Sequence, residues 1–245
     1  MSPRIAGATA LRVLRQLRRD PRTVALLLGV PSVLVTLLHE LFADRPEMFQ
    51  RIGGPVLGLF PFVSMFVVTS ITMLRERVSG TLERLMTLPL AKLDLLAGYA
   101  AAFGLFAAVQ ASLVSAIAFG LLGLDTIRSP VAVVGLAIAN ATLGMALGLF
   151  VSAFARSEFQ AVQFMPALVF PQMLLCGLFV SRSEMAGWLR AISDALPLTY
   201  SYDALARLTS SPSLGVRFWA DLAVTVAAAL LALALGAATL RRRTG

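Results

Sequence analysis

Histidine, cysteine and lysine each occur once in the 245-residue chain, as His39, Cys176 and Lys92. A lone thiol within an apolar run excludes an intrachain disulfide and a two-cysteine redox centre. One His and one Cys exclude a His/Cys zinc site. Charged residues make up only 14% of the chain. No GxxxxGKS/T loop is present, nor even a Gly-Lys dipeptide, so the chain does not hydrolyse ATP by the phosphate-loop machinery. No nucleophile elbow, paired-carboxylate spacing or internal repeat stands out, which leaves no catalytic or metal-ligating residue to nominate.

What the chain has in excess is apolar sequence. Hydrophobic residues reach 58% and mean hydropathy +0.83, against roughly 45–50% apolar content in soluble domains, so lipid is its main solvent. Six apolar runs occupy residues 21–43, 52–74, 95–124, 131–154, 161–180 and 222–240, each at least about the 20 residues that a helix needs to cross a bilayer, the third being long enough that its cytoplasmic end is expected to project. The expected fold is all-α integral membrane: one transmembrane domain over residues 1–245 with six spanning helices and no soluble catalytic domain. The net charge of +8 suggests nucleic acid in a soluble protein, but membrane proteins gather Arg and Lys on cytoplasmic loops for topological reasons. Fourteen of the 21 basic residues fall on the side that carries both chain ends, and seven on the other. Six crossings satisfy both ends, so both termini are expected in the cytoplasm and the 181–217 loop outside. Five arginines ahead of the first run and Arg22 at its head, with no small-residue cleavage site after it, lead us to expect a retained anchor rather than a signal peptide.

Between these runs lie polar segments with helical periodicity. Residues 1–19 place Leu11, Leu14 and Leu17 between arginines, the pattern of an amphipathic helix on an anionic membrane surface. Asp20 and Pro21 then suit an N-cap and first helical position, and Pro31 is expected to kink the span that follows. The long polar stretch 75–92 continues a stripe of Leu74, Val78, Leu82 and Leu85, with Glu76, Arg77, Glu83 and Arg84 off it. Ser79 and Gly80 are expected to break the helix, Ser79 capping the next segment and Pro89 ending it. Within the spans, Gly144 and Gly148 form a small-xxx-small pattern for close helix approach. Asn140, Gln110, Gln163 and Gln172 must face protein or water rather than lipid.

The segment Glu-Arg-Val-Ser-Gly-Thr-Leu-Glu-Arg-Leu-Met-Thr-Leu-Pro, from Glu76 to Pro89, resembles the signature of ABC type-2 permeases, including the daunorubicin-resistance-type exporters. A second stretch, PQMLLCGLF at 171–179 followed by Leu-Pro-Leu-Thr-Tyr at 196–200, is similar to the family's fifth helix and short re-entrant helices. The resemblance implies that 75–92 is a cytoplasmic coupling segment in which Arg75, Glu76, Arg77, Ser79, Gly80, Thr81, Glu83 and Arg84 dock on a separate ABC ATPase. Two copies of that ATPase would carry the ATP and Mg; this chain would bind no cofactor. It implies re-entrant helices at 181–217 marked by Trp188, Pro197, Thr199 and Tyr200, though a plain aromatic belt explains the Trp and Tyr equally well. It further implies a second permease subunit, identical or different, in a bacterial cytoplasmic membrane, with no nucleic-acid partner. Phe60, Phe62, Phe66, Gln163, Phe164 and Phe170 are candidates for a path through the second and fifth helices, with plain packing or lipid contact the alternative for each phenylalanine.

The function implied is the membrane-spanning half of an ATP-driven multidrug-type exporter for an amphipathic compound or lipid. Export of a lipid-linked polysaccharide or glycolipid is the alternative within the family. A lipid-modifying membrane enzyme would need clustered ionisable groups, and His39-Glu40 is the one such pair within a run; a channel or secondary transporter would need no ATPase. The chain departs from the family in having Gly98-Tyr99 where Gly-Lys is common.

Overall fold

The computed structural model describes residues 2–81, 84, 92–127, 129–211 and 213–239, without the side chains of 92 and 93. These residues are helical throughout, with no strand among them. The helices are α1 (Pro3–Arg19), α2 (Pro21–Leu41), α3 (Pro46–Val78), α4 (Lys92–Gly120), α5 (Pro130–Val151), α6 (Glu158–Phe164), α7 (Phe170–Leu175), α8 (Gly187–Ala195), α9 (Pro197–Ser210) and α10 (Val216–Thr239). A π-helical turn, Met165–Val169, joins α6 to α7, and a 3-10 turn, Arg182–Glu184, precedes α8. Pro3, Pro21, Pro46, Pro130 and Pro197 open their helices, where the missing N–H has no intrahelical partner to lose.

Five helices, α2, α3, α4, α5 and α10, are long and apolar enough to cross a membrane. The remaining expected run, 161–180, is divided: α6, the π turn and α7 follow one another without a break from 158 to 175, and none is long enough alone. Pro166 and Pro171 explain the division, since each removes a backbone donor and displaces the ladder around it.

α3 and α5 form the centre, each with 61% of its apolar window buried, against 17% for α2 and 28% for α10. Their closeness is set by glycine. A Cβ added at Gly144 would overlap the Phe62 carbonyl oxygen, and one at Gly148 would overlap the Phe66 carbonyl and Thr69 Oγ1. Thr69 in turn donates across the seam to the Met145 carbonyl at 3.2 Å. Gly98 does the same for α1, which lies on α4 with Ala6 and Thr9 against it.

Several polar side chains at membrane depth have protein partners, whereas Ser115 Oγ in α4 is buried with none among the described residues. Pro31 stays inside a continuous α2 rather than ending it. It leaves the Leu27 carbonyl without its N–H, and Gln110 of α4 donates there instead. Asn140 accepts from Ser201 at 2.7 Å. This contact draws the start of α9 deep into the bundle, while its end lies beside Gly54 and the 121–129 loop, where Ile127 N–H donates to the Thr209 carbonyl at 3.3 Å.

Candidate functional site

Three groups of expected functional residues lie in three places. The first is the last turn of α3, which runs for 33 residues before ending at Val78. Glu76 is 6% exposed there. Arg12 of α1 donates to both of its carboxylate oxygens, at 3.1 and 3.3 Å, and to the Tyr99 hydroxyl at 2.5 Å, with the guanidinium 5.6 Å over the Tyr99 ring. Burial alone lowers the Arg12 pKa, but Tyr99 and Glu76 outweigh it and hold the group above its usual value. A cation therefore stands at the Tyr99 position although α4 does not carry it. Arg75 makes a bidentate pair with Glu158 of α6 at 2.8 and 2.9 Å, with both side chains largely exposed. Arg77 keeps its Nε buried without an acceptor among the described residues.

Beyond Val78 the chain turns. Gly80 has φ +71°, with nothing within 4 Å of the position a Cβ would take, a conformation that glycine adopts without penalty. The Gly80 carbonyl accepts from Arg84 N–H at 3.0 Å, opening a new helical turn that includes Thr81. The Ser79 hydroxyl donates to the Glu76 carbonyl and meets Thr81 Oγ1 at 3.0 Å. The apolar stripe expected through this segment is also not buried as one, since Leu74 is 2% and Val78 71% exposed. Glu83, Leu82, Leu85 and Pro89 lie outside the described residues. A cavity of about 340 Å3 opens between α1, the head of α2 and this end of α3, bounded by Gln16, Asp20, Thr23, Arg75, Glu76 and Thr81.

The second group is the proposed path, and its members are not together. Phe62 and Phe66 are 0% and 1% exposed and packed among Leu143, Ala146 and Val169 inside the protomer. Phe60 is half-buried in the neighbouring cluster around Leu57 and Val133. By contrast, Gln163 is exposed and Phe170 45% exposed, with Phe164 half-buried between them. Gln172, two and a half turns beyond Gln163, faces inward, accepting from Leu198 N–H at 3.4 Å and donating to the Leu168 carbonyl at 3.0 Å.

The third group is the α8–α9 cap. Pro197 starts α9, Thr199 is fully buried against the Ser193 hydroxyl at 3.2 Å, and the Tyr200 hydroxyl donates to the Asp194 carbonyl at 2.6 Å. Trp188 is 68% exposed. Arg182, reached after Gly177 turns the chain at φ +106°, donates to Asp194 and to Asp203, the latter at 2.6 Å. Tyr202 packs beside Gly177, and burial pushes its hydroxyl up to about 12. Sequence reasoning nominated neither Arg12 nor Arg182, because their partners lie 64, 87 and 21 positions away, far beyond any helical period.

The family model of the ABC-2 type transporter matches residues 7–208, which takes in α1, the α3 terminus, the exposed α6–α7 face and most of α9. The chain belongs to the ABC-2 type transporter family. Membership makes this permease a multi-pass membrane domain of an ABC-2 type transporter. It is also similar to ABC transporter G family member 20 of Dictyostelium discoideum, 27% identical over 149 residues. That match covers 60% of the permease and 20% of the relative, so the permease spans about a fifth of that protein's length.

Proposed function

We propose that the permease is the membrane half of an ATP-driven exporter, pairing with a second permease subunit and two cytoplasmic ABC ATPases to move an amphipathic compound or lipid outward. The observation that carries this reading is the end of α3. One continuous helix from the bundle core reaches a left-handed glycine at Gly80, and its last turn is tied to α1 through Arg12–Glu76 and to α6 through Arg75–Glu158. Force applied at residues 79–84 would therefore reach the helices on both sides. In this reading, 75–92 is the coupling segment and faces the cytoplasm with both chain ends, and ATP and Mg belong to the partner.

α6, the π turn and α7 make the sixth crossing, since residues 158–175 at about 1.5 Å each reach about 27 Å. The exposed Gln163, with Phe170 on the same composite helix, faces the second subunit and a water-accessible route, because lipid would leave the amide unsatisfied. π turns recur at functional positions in helices. Phe62 and Phe66 hold that wall from behind instead of lining the route. The α8–α9 cap closes the outer end as the re-entrant segment.

The test is co-purification of the ATPase and its hydrolysis rate in reconstituted membranes. Gly80→Val forces a β-branched side chain into a positive-φ turn, and Glu83→Arg reverses a charge on the expected docking surface. Both should abolish transport-coupled hydrolysis while the permease stays folded. Wild-type hydrolysis and co-purification in both variants would refute the coupling role.

A further inference from the structure

Residues 1–39 contain a single acid, Asp20. Its carboxylate is occupied by Thr23, whose N–H and hydroxyl donate at 3.1 and 2.6 Å and hold it below the usual carboxylate range. Against it stand Arg4, Arg15, Arg18, Arg19 and Arg22, all exposed and none in an ion pair among the described residues. At 3.6 residues per turn, Arg4, Leu11, Arg15 and Arg18 share one arc of α1, opposite the buried Thr9 and Val13 that pack on α4.

Where this basic arc sits relative to lipid follows from α2. Leu26, Val30, Val33 and Leu37 are 64%, 47%, 56% and 58% exposed and form one helical stripe, lipid-facing because so little of α2 is buried. Arg22 heads that stripe one turn earlier, about 6 Å before Leu26, at the level where hydrocarbon gives way to headgroups. Leu11, 48% exposed in the middle of the basic arc, suits the acyl boundary of a bilayer better than the acidic face of a protein.

We propose that α1 and the head of α2 bind anionic phospholipid headgroups through these five arginines, and that Arg12 passes their occupancy to the segment after Val78. The second half rests on the coupling reading above; the first does not. Arg12 is the arginine of α1 turned inward, and it grips the buried Glu76 three residues before Ser79. A shift of α1 against the headgroup plane is thus delivered to the turn at Gly80 with no flexible linker between.

The test places the full chain in nanodiscs of phosphatidylcholine alone or in an equal mixture with phosphatidylglycerol. Native mass spectrometry measures retained phosphatidylglycerol, and a spin label at Thr81→Cys, in a Cys176→Ala background, reports the turn. Each Arg→Gln among Arg15, Arg18 and Arg19 should weaken retention about fivefold, the equivalent of about 1 kcal/mol per surface cation. Phosphatidylglycerol should change the label's mobility in the unaltered permease. Arg12→Gln should keep the lipid and lose that response, and Arg12→Lys should restore it. Unchanged retention in the triple variant, or a label response that survives Arg12→Gln, would overturn the proposal. If both lipid results hold but no ATPase co-purifies, the coupling reading falls and the headgroup site stands.

Discussion

Two glycines on one helix should respond to the same substitution with opposite signs. Gly144 and Gly135 both lie in α5. A Cβ at Gly144 has nowhere to go, because the atoms it meets are the backbone carbonyl, carbon and Cα of Phe62 on α3. α3 and α5 would have to part, and overpacking of this kind costs about 1–3 kcal/mol. Parting them also strains the Thr69–Met145 hydrogen bond, an interaction that in membranes averages about 0.6 kcal/mol. At Gly135 nothing lies within 4 Å of an added Cβ, so Gly135→Ala should be neutral or stabilise by up to about 1 kcal/mol through helix propensity. Thermal unfolding of the purified permease in detergent reads both: the midpoint should fall for Gly144→Ala and hold or rise for Gly135→Ala. A fall of equal size in both would show that the α3–α5 seam tolerates separation and that glycine is not what sets it.

Three further outcomes are expected. Gln163→Leu should lower transport with little change in stability, while Gln172→Leu should cost about 1–3 kcal/mol of stability by stranding the Leu198 N–H and the deep end of α9; equal transport loss from both at unchanged stability would contradict this division. Arg182→Gln should destabilise the permease by about 1–3 kcal/mol, because Asp203, with its side chain 19% exposed, loses its partner in a part-buried site. Limited proteolysis of the 176–186 loop would detect the release, and an unchanged cleavage rate would count against the clamp. With Cys176→Ala as background, an impermeant thiol reagent should label Ser183→Cys in intact cells and Ser79→Cys only after permeabilisation, and the reverse pattern would invert the topology.

Much of the scaffold was legible because its signals are local. Apolar length located the five helices long and apolar enough to cross a membrane to within about six residues, and the period of residues 5–19 gave α1. The Ser79–Gly80 break and the Gly144–Gly148 packing face are also short-range patterns, and both are present. The 161–180 run read as one helix because hydropathy averages over the backbone defects that Pro166 and Pro171 introduce. Phe62 and Phe66 read as path residues because aromatic content does not say which side of a span faces the neighbouring helix. Ser79 read as the start of a segment, whereas the left-handed Gly80 supplies the first carbonyl and leaves Ser79 to finish α3. The Arg12–Glu76–Tyr99 contact brings together the first, third and fourth helices, and no spacing rule reaches across them.

The Gln110 bond to the Leu27 carbonyl has a consequence for how the permease tolerates change. Pro31 is a poor helix residue by any propensity scale, yet its defect makes the acceptor by which α4 holds α2. Replacing it with alanine would complete the α2 ladder and make that helix better on its own. The same change would close the socket, leaving the Gln110 amide to find another partner inside the bundle. Here a local imperfection in one helix supplies the hydrogen bond that joins two.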